Sequence, residues 1–346
     1  MSQETMEWLH TMTRIGFVEK RGAAWHGTAD MPNHYPGAVP IAAVEDLFSF
    51  EVNPHRVAYL VSCSLDDPRM TGIDETGVPY RLVISSDRIG QLRSDNDADL
   101  GVFKSGYQGH QYGEWLTENV ATILDDDLQV SSAGLLKGGA VAWVQVEMPE
   151  TVVTPSGEKI RPFLLAVTSF DGSVATTYKR AMTRVVCDNT MDAGLREDAP
   201  TWRTKHTKNS GLKISDAREA LKIVHTMTAA FTDQVERLIA ETVTEAQWER
   251  IVEALTTPKQ VTGAKSQATR IANRRHDLNT LWTSDYRVAP FKGTTWGVLQ
   301  AFSTWDQHFI SPRGQSLAER NMGQAVMGSF VDSDVIETTR KVLAAV

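Results

Sequence analysis

The chain has 346 residues, 41% apolar and 23% charged, with nine Trp, so it holds material for one large core or two smaller ones and is not a disordered polymer. Its two cysteines, Cys63 and Cys187, form no CxxC pair, which excludes a disulfide scaffold and a cysteine zinc site and fits a reducing cytoplasm. The net charge of −8 hides a gradient: residues 1–158 hold 10 Lys+Arg against 23 Asp+Glu, residues 159–222 hold 12 against 7, and residues 223–346 hold 13 of each, an asymmetry that points to a polyanionic partner or to contact between copies of the chain.

The first residues, MSQETMEWLHTM, carry neither a basic n-region nor a long apolar run, so no secretory signal is expected. No stretch is apolar enough for long enough to span a bilayer, so no membrane partner is expected. Trp25-His26-Gly27 reads as a packed corner before a Pro-rich connection through Pro32, Pro36 and Pro40. A helix over Ile41 to Phe48 follows. The β-forming runs Val57 to Ser64 and Tyr80 to Ser85 predict a hairpin with a long loop. Asp95, Asp97 and Asp99 alternate as in a calcium loop, but position six would be Leu100 and position twelve Gly106, which excludes that site. Gly106, Gly109 and Gly113 miss the dinucleotide fingerprint, and without a GxxxxGK[ST] segment nucleotide hydrolysis by a P-loop is excluded. Gln111 to Leu124 has one apolar side and predicts a helix, with Asp125 to Asp127 as a solvated loop. Leu128 to Leu136 and Ala140 to Met148 predict strands turned at Lys137-Gly138-Gly139. In the second of them Gln145 and Glu147 alternate with Val144 and Val146, which predicts one wet face.

The stretch from Phe163 to Leu195 joins the strand-rich half to the helical half. Phe163 to Val167 is continuously apolar, as a strand covered on both faces requires. Asp171-Gly172-Ser173 is a turn, and Val174 to Tyr178 completes a hairpin across it. Lys179, Arg180 and Arg184 follow, either as a charged edge that blocks edge-to-edge association or as a phosphate-facing edge. Asp188 or Asn189 can cap a short helix through Leu195. From Thr201 to Lys213 four cations, including Arg203, Lys205 and Lys208, interleave with Trp202 and His206 without an acid. Cations for phosphates and an indole for stacking make this a nucleic-acid candidate; the alternative is an exposed linker.

Beyond Ser215 the periodicity is helical. Apolar residues recur from Ala217 to Leu238 near a 3.6-residue period, Thr244-Glu245-Ala246-Gln247 is a capping box, and Trp248, Ile251, Val252 and Leu255 face the core until Pro258. Gly263 to Trp282 predicts a helix carrying Lys265, Arg270 and Arg274. Thr295 to Phe309 predicts a helix with a Trp296, Leu299, Phe302, Trp305 stripe, and Ser316 to Phe330 and Ser333 to Ala345 predict two more. The fold class expected is α+β: an antiparallel sheet domain over residues 1–200, a basic connection over 201–213, and an all-helical region over 214–346.

Several segments together resemble a phage- and plasmid-borne bacterial family catalogued as a domain of unknown function. They are Ala24-Trp25-His26-Gly27, Arg93-Ser94-Asp95-Asn96, Leu100-Gly101-Val102, Tyr107-Gln108, Ser169 to Ser173, Arg184 to Thr190, and Trp296 to Ala301. Thr28 departs from the pattern, where an apolar residue followed by Gly is expected. The resemblance implies a mobile-element setting and carries over no catalytic residue.

Three functions fit these residues. The first is single-stranded nucleic-acid binding or annealing in phage recombination or replication, as a homo-oligomer, through Lys179, Arg180, Arg184, Trp202, Arg203, Lys205, Lys208, Lys265, Arg270 and Arg274, with no cofactor or metal. The second is a non-catalytic protein that binds host proteins or builds a structural oligomer. The third is a cysteine enzyme in which Cys187, beside Asp188, works with His26 or His206, although no spacing here demands chemistry.

Overall fold

The computed structural model describes residues 12–16, 32–121, 124, 128–147, 152–157, 159–184, 190–192, 202–204, 231–258, 260, 265–310, 312, 314, 317, 320, 321 and 332–345. The fold is α+β, with antiparallel sheets in the N-terminal half and helices in the C-terminal half. The strands are β1 (Thr13–Ile15), β2 (Val52–Ser62), β3 (Gly72–Ile73), β4 (Pro79–Arg93), β5 (Asp99–Lys104), β6 (Gln129–Leu136), β7 (Val141–Glu147), β8 (Val152–Val153), β9 (Lys159–Ser169), β10 (Thr176–Arg184), β11 (Thr190–Asp192) and β12 (Trp202–Thr204). The helices are α1 (Ile41–Leu47), α2 (Tyr112–Trp115, continued by a wider π turn over Leu116–Val120), α3 (residues 231–240), α4 (Glu245–Thr256), α5 (Lys265–Ser284), α6 (Thr295–His308) and α7 (Asp332–Ala344).

The larger sheet runs β1-β6-β7-β9-β10-β11, with β8 also on β9 and β12 also on β10. Its hairpins are those the turn residues predict. Lys137, Gly138 and Gly139 all take positive φ between β6 and β7. Asp171 accepts from the Ser173 amide at 2.8 Å between β9 and β10. The apolar run of β9 is covered on both faces. Leu164 and Ala166 join Val144 and Val146 in the main core beneath α1 and α2, while Phe163, Leu165 and Val167 join Val141 and Trp143 in a second cluster. Gly134, paired with Trp143, is required for that packing: a Cβ there would come within 2.6 Å of the indole.

Two expectations are corrected. The expected wet face of β7 is largely covered: Glu147 is only 4% exposed and accepts from the half-buried Gln145 Nε2 at 2.9 Å, and Ser132 Oγ donates to Gln145 Oε1 at 3.2 Å, so side-chain hydrogen bonds satisfy these polar groups. Thr190–Asp192 is a strand on β10, within the span where a short helix through Leu195 was expected; its cap positions 188 and 189, and Trp25-His26-Gly27, Cys187 and His206, lie outside the described residues.

The smaller sheet is an arm. β2 and β4 form an antiparallel ribbon, with β3 and β5 at different heights on the other edge of β4. The register jumps from Arg56↔Ile89 to Ala58↔Ile84, a bulge that divides a root joined to the main core from a distal half that is largely exposed.

In the helical half, α4 and α5 stack Trp248 on Trp282, with ring centroids 4.3 Å apart and planes 6° off parallel. Trp248 Nε1 donates to Asn279 and Trp282 Nε1 to Glu245, so both indoles are packed and satisfied. The expected stripe on α6 lies in a helix buried all round over its first ten residues: every residue from Thr295 to Thr304 is buried, because α5, α7 and the residues before it surround it, while Trp305 to His308 are half-buried. The capping box at Thr244 and Gln247 forms as predicted. Thr244→Ala should lower stability by about 1 kcal/mol, read as a shift in the urea midpoint. Among the described residues no helix is long and apolar enough to cross a membrane.

Candidate nucleic-acid interface

Five of the ten candidate residues lie on two adjacent strands. β12 pairs with β10 through Trp202↔Tyr178 and Arg203↔Thr177, so these residues come beside the positions that precede Lys179 and Arg180. On its other side β10 pairs with β9, Lys179 opposite Leu165, Arg180 opposite Leu164 and Arg184 opposite Ile160. Paired residues share a sheet face and successive residues alternate. Positions 180, 184 and 202 therefore fall on the face of Leu164 and Ala166, and positions 179 and 203 on the face of Leu165 and Val167. The register gathers five candidates and splits them between two faces. Lys205 and Lys208 lie outside the described residues.

The trio on α5 does not form one stripe. Lys265 and Arg270 are exposed but about 140° apart around the helix. Arg274 is packed over Trp305, its guanidinium 4.2 Å from the ring centroid, and burial lowers its pKa against the pull of Asp306.

A second concentration of polar groups sits where the arm meets the large sheet. Arg93 is 8% exposed; it donates to Gly138 O at 2.7 Å, forks onto Asp95 at 2.9 and 2.6 Å, and stacks 3.7 Å above Phe50. Gly139 has φ +102°, and a Cβ there would collide with that guanidinium. Tyr112 donates to Gly139 O at 2.9 Å and Tyr107 to Ser169 O at 3.1 Å, while Tyr107 stacks on Phe103 at 4.0 Å. Burial pushes both phenols up. Lys137 Nζ reaches Asp171 at 2.8 Å. His110 Nδ1 and Thr168 each lie 2.8 Å from the Thr176 hydroxyl.

Sequence reasoning noted Arg93, Asp95, Gly101, Tyr107 and the Ser169 to Ser173 turn only as scattered segments. Here they converge, with two turns of the large sheet clasping the root of the arm. The polar groups named point inward to one another, so this is a brace. Burial alone would raise Asp171, but bonds from Lys137 and from the Ser173 hydroxyl and amide outweigh it and hold the carboxyl below its ordinary value. A depressed folded value gives stability that is present above the unfolded pKa and lost as pH falls through the folded one. Asp171→Asn should cost about 1 kcal/mol near neutral pH, with the gap to the parent closing below about pH 4, measured by urea denaturation at both pH values.

Several acids of the strand-rich half are paired with nearby cations. Among the described residues Asp46 pairs with Arg14, Asp67 with Arg69 and Arg81, Asp95 with Arg93 and Asp171 with Lys137. These five cations are outside the set of candidate residues for nucleic acid.

No curated protein and no solved structure matches the chain. A family model does match, over residues 99–327, which takes in β5 to β12, the clasping turns and helices α2 to α6. On that span, well over half of its length, the chain belongs to the family described as Domain of unknown function (DUF932).

Proposed function

We propose that this chain is a non-catalytic protein that binds single-stranded nucleic acid, in the phage or plasmid setting that its motifs resemble. The observation that carries the reading is the pairing of β12 with β10, which brings Trp202 and Arg203 from a distant, acid-free stretch alongside the Lys179-Arg180 strand. Cations beside an aromatic residue on a sheet suit a sugar-phosphate backbone with a base stacked on the indole.

The test is anisotropy of a labelled single-stranded DNA oligonucleotide titrated with the intact chain at a series of salt concentrations. Binding at low salt is expected, with log K falling linearly in log salt by about 0.7 for each phosphate neutralised. An oligonucleotide that stays free at low salt removes the proposal.

A further inference from the structure

We infer that the distal half of the β2–β4 arm is a self-association surface whose occupant is the same arm of a second copy of this chain. The first observation is apolar area. Tyr59, Leu60, Leu65, Ile73, Leu82 and Ile84 are each at least 47% exposed. Leu60 pairs with Leu82, and Ile84 with Ala58 two positions away, so three of them form a cross-strand stripe on one face. At roughly 100 Å² apiece that stripe presents on the order of 300 Å² of apolar surface on one face, with Tyr59 and Ile73 on the other. One face alone is thus the size of the largest apolar patch on an ordinary monomer. A two-stranded ribbon is also marginal on its own in water, so covering it stabilises it.

The second observation is an open edge. β4 lies on one side of β2, and among the described residues no strand lies on the other. The Cys63 amide donates to Pro79 O, so the alternation of the ladder turns the amides of Ala58, Leu60 and Ser62 toward the open side. The usual guards are missing there: β2 has no Lys, and its one Pro, Pro54, lies at the root.

The third observation is charge, and it selects a second copy as the occupant. Residues 52–93 hold five Arg against five Asp or Glu, while the whole chain carries −8, so two copies repel least through their arms. With Leu60 opposite Leu60 on a twofold axis, the antiparallel register sets Arg56 of each copy opposite Ser64 and diagonal to Asp66 of the other. No like charges meet in that arrangement.

The test uses the full-length chain without nucleic acid, so its outcome is independent of the oligonucleotide experiment. Sedimentation velocity over a wide concentration range should show concentration-dependent dimers or larger assemblies. Leu60→Lys should raise the half-dissociation concentration about tenfold or more, and Leu82→Lys likewise. Both positions are exposed, and an unchanged melting curve verifies the fold. Leu60→Cys in a Cys63→Ser background should give a disulfide-linked dimer on mild oxidation, mapped to position 60 by mass spectrometry, since paired residues in the new ladder lie within disulfide reach. A chain that stays monomeric throughout, an assembly that both Lys variants leave as tight as before, or a Leu60→Cys chain that forms no such disulfide overturns the inference.

Discussion

Arg93→Met should lose about 2–4 kcal/mol of stability in urea denaturation and expose the arm root to proteolysis before the rest of the chain. The Gly138 carbonyl would lose a charge-assisted donor at 2.7 Å, and Phe50 would lose the cation above its ring. Asp95 is 45% exposed, so the carboxylate left behind can be hydrated, and the figure stays below that for breaking a fully buried pair. Met restores most of the stem volume, which isolates the polar terms. Arg93→Lys should recover little, because one ammonium cannot fork onto Asp95 and reach Gly138 together. Amide exchange at β4 and β5 is the second readout. A variant whose exchange quickens only at the root shows that the clasp holds the arm, whereas uniform quickening would make Arg93 an ordinary core contributor.

What could be read in advance follows from how local each signal is. Lys137-Gly138-Gly139 and Asp171-Gly172-Ser173 fix their turns through φ and through side-chain bonds to nearby backbone, so both hairpins were legible. The Thr244–Gln247 box is equally local. The run Val57 to Val61 was legible as a strand but not as an exposed one, because apolarity sets the conformation and says nothing of whether a second layer arrives to cover it. Glu147 looked like a solvent position for the same reason: alternation reports polarity, and Gln145 satisfies that polarity in the interior. Thr190–Asp192 and Trp202–Thr204 are three-residue strands whose conformation comes from β10 alone, so no local pattern announces them. Arg93 stood in one of the segments that carry the family resemblance, but nothing near it in the chain assigned it a role. Its role appears only when Gly138 is brought to it from 45 residues away.

The nucleic-acid reading makes a sharper demand than binding alone. Arg180→Glu with Arg184→Glu should weaken binding of a single-stranded oligonucleotide by tenfold or more and flatten its salt slope by about 0.7 for each phosphate no longer neutralised. Positions 180 and 184 are four residues apart on one strand, about 13 Å, too far to share one phosphate and suited to two. They also fall on the strand face of position 202. Lys179→Glu with Arg203→Glu reverses the same number of charges at positions on the opposite face. A strand bound to one face is disturbed by that pair only through the long-range field, which salt screens within a Debye length of about 10 Å. The two double variants have the same net charge, so non-specific attraction to the whole chain predicts equal losses from both. A clear excess loss from the first pair, with a matching drop in slope, identifies a bound face. Equal losses reduce the interaction to diffuse electrostatics, and unchanged binding in both removes these strands from the interface altogether.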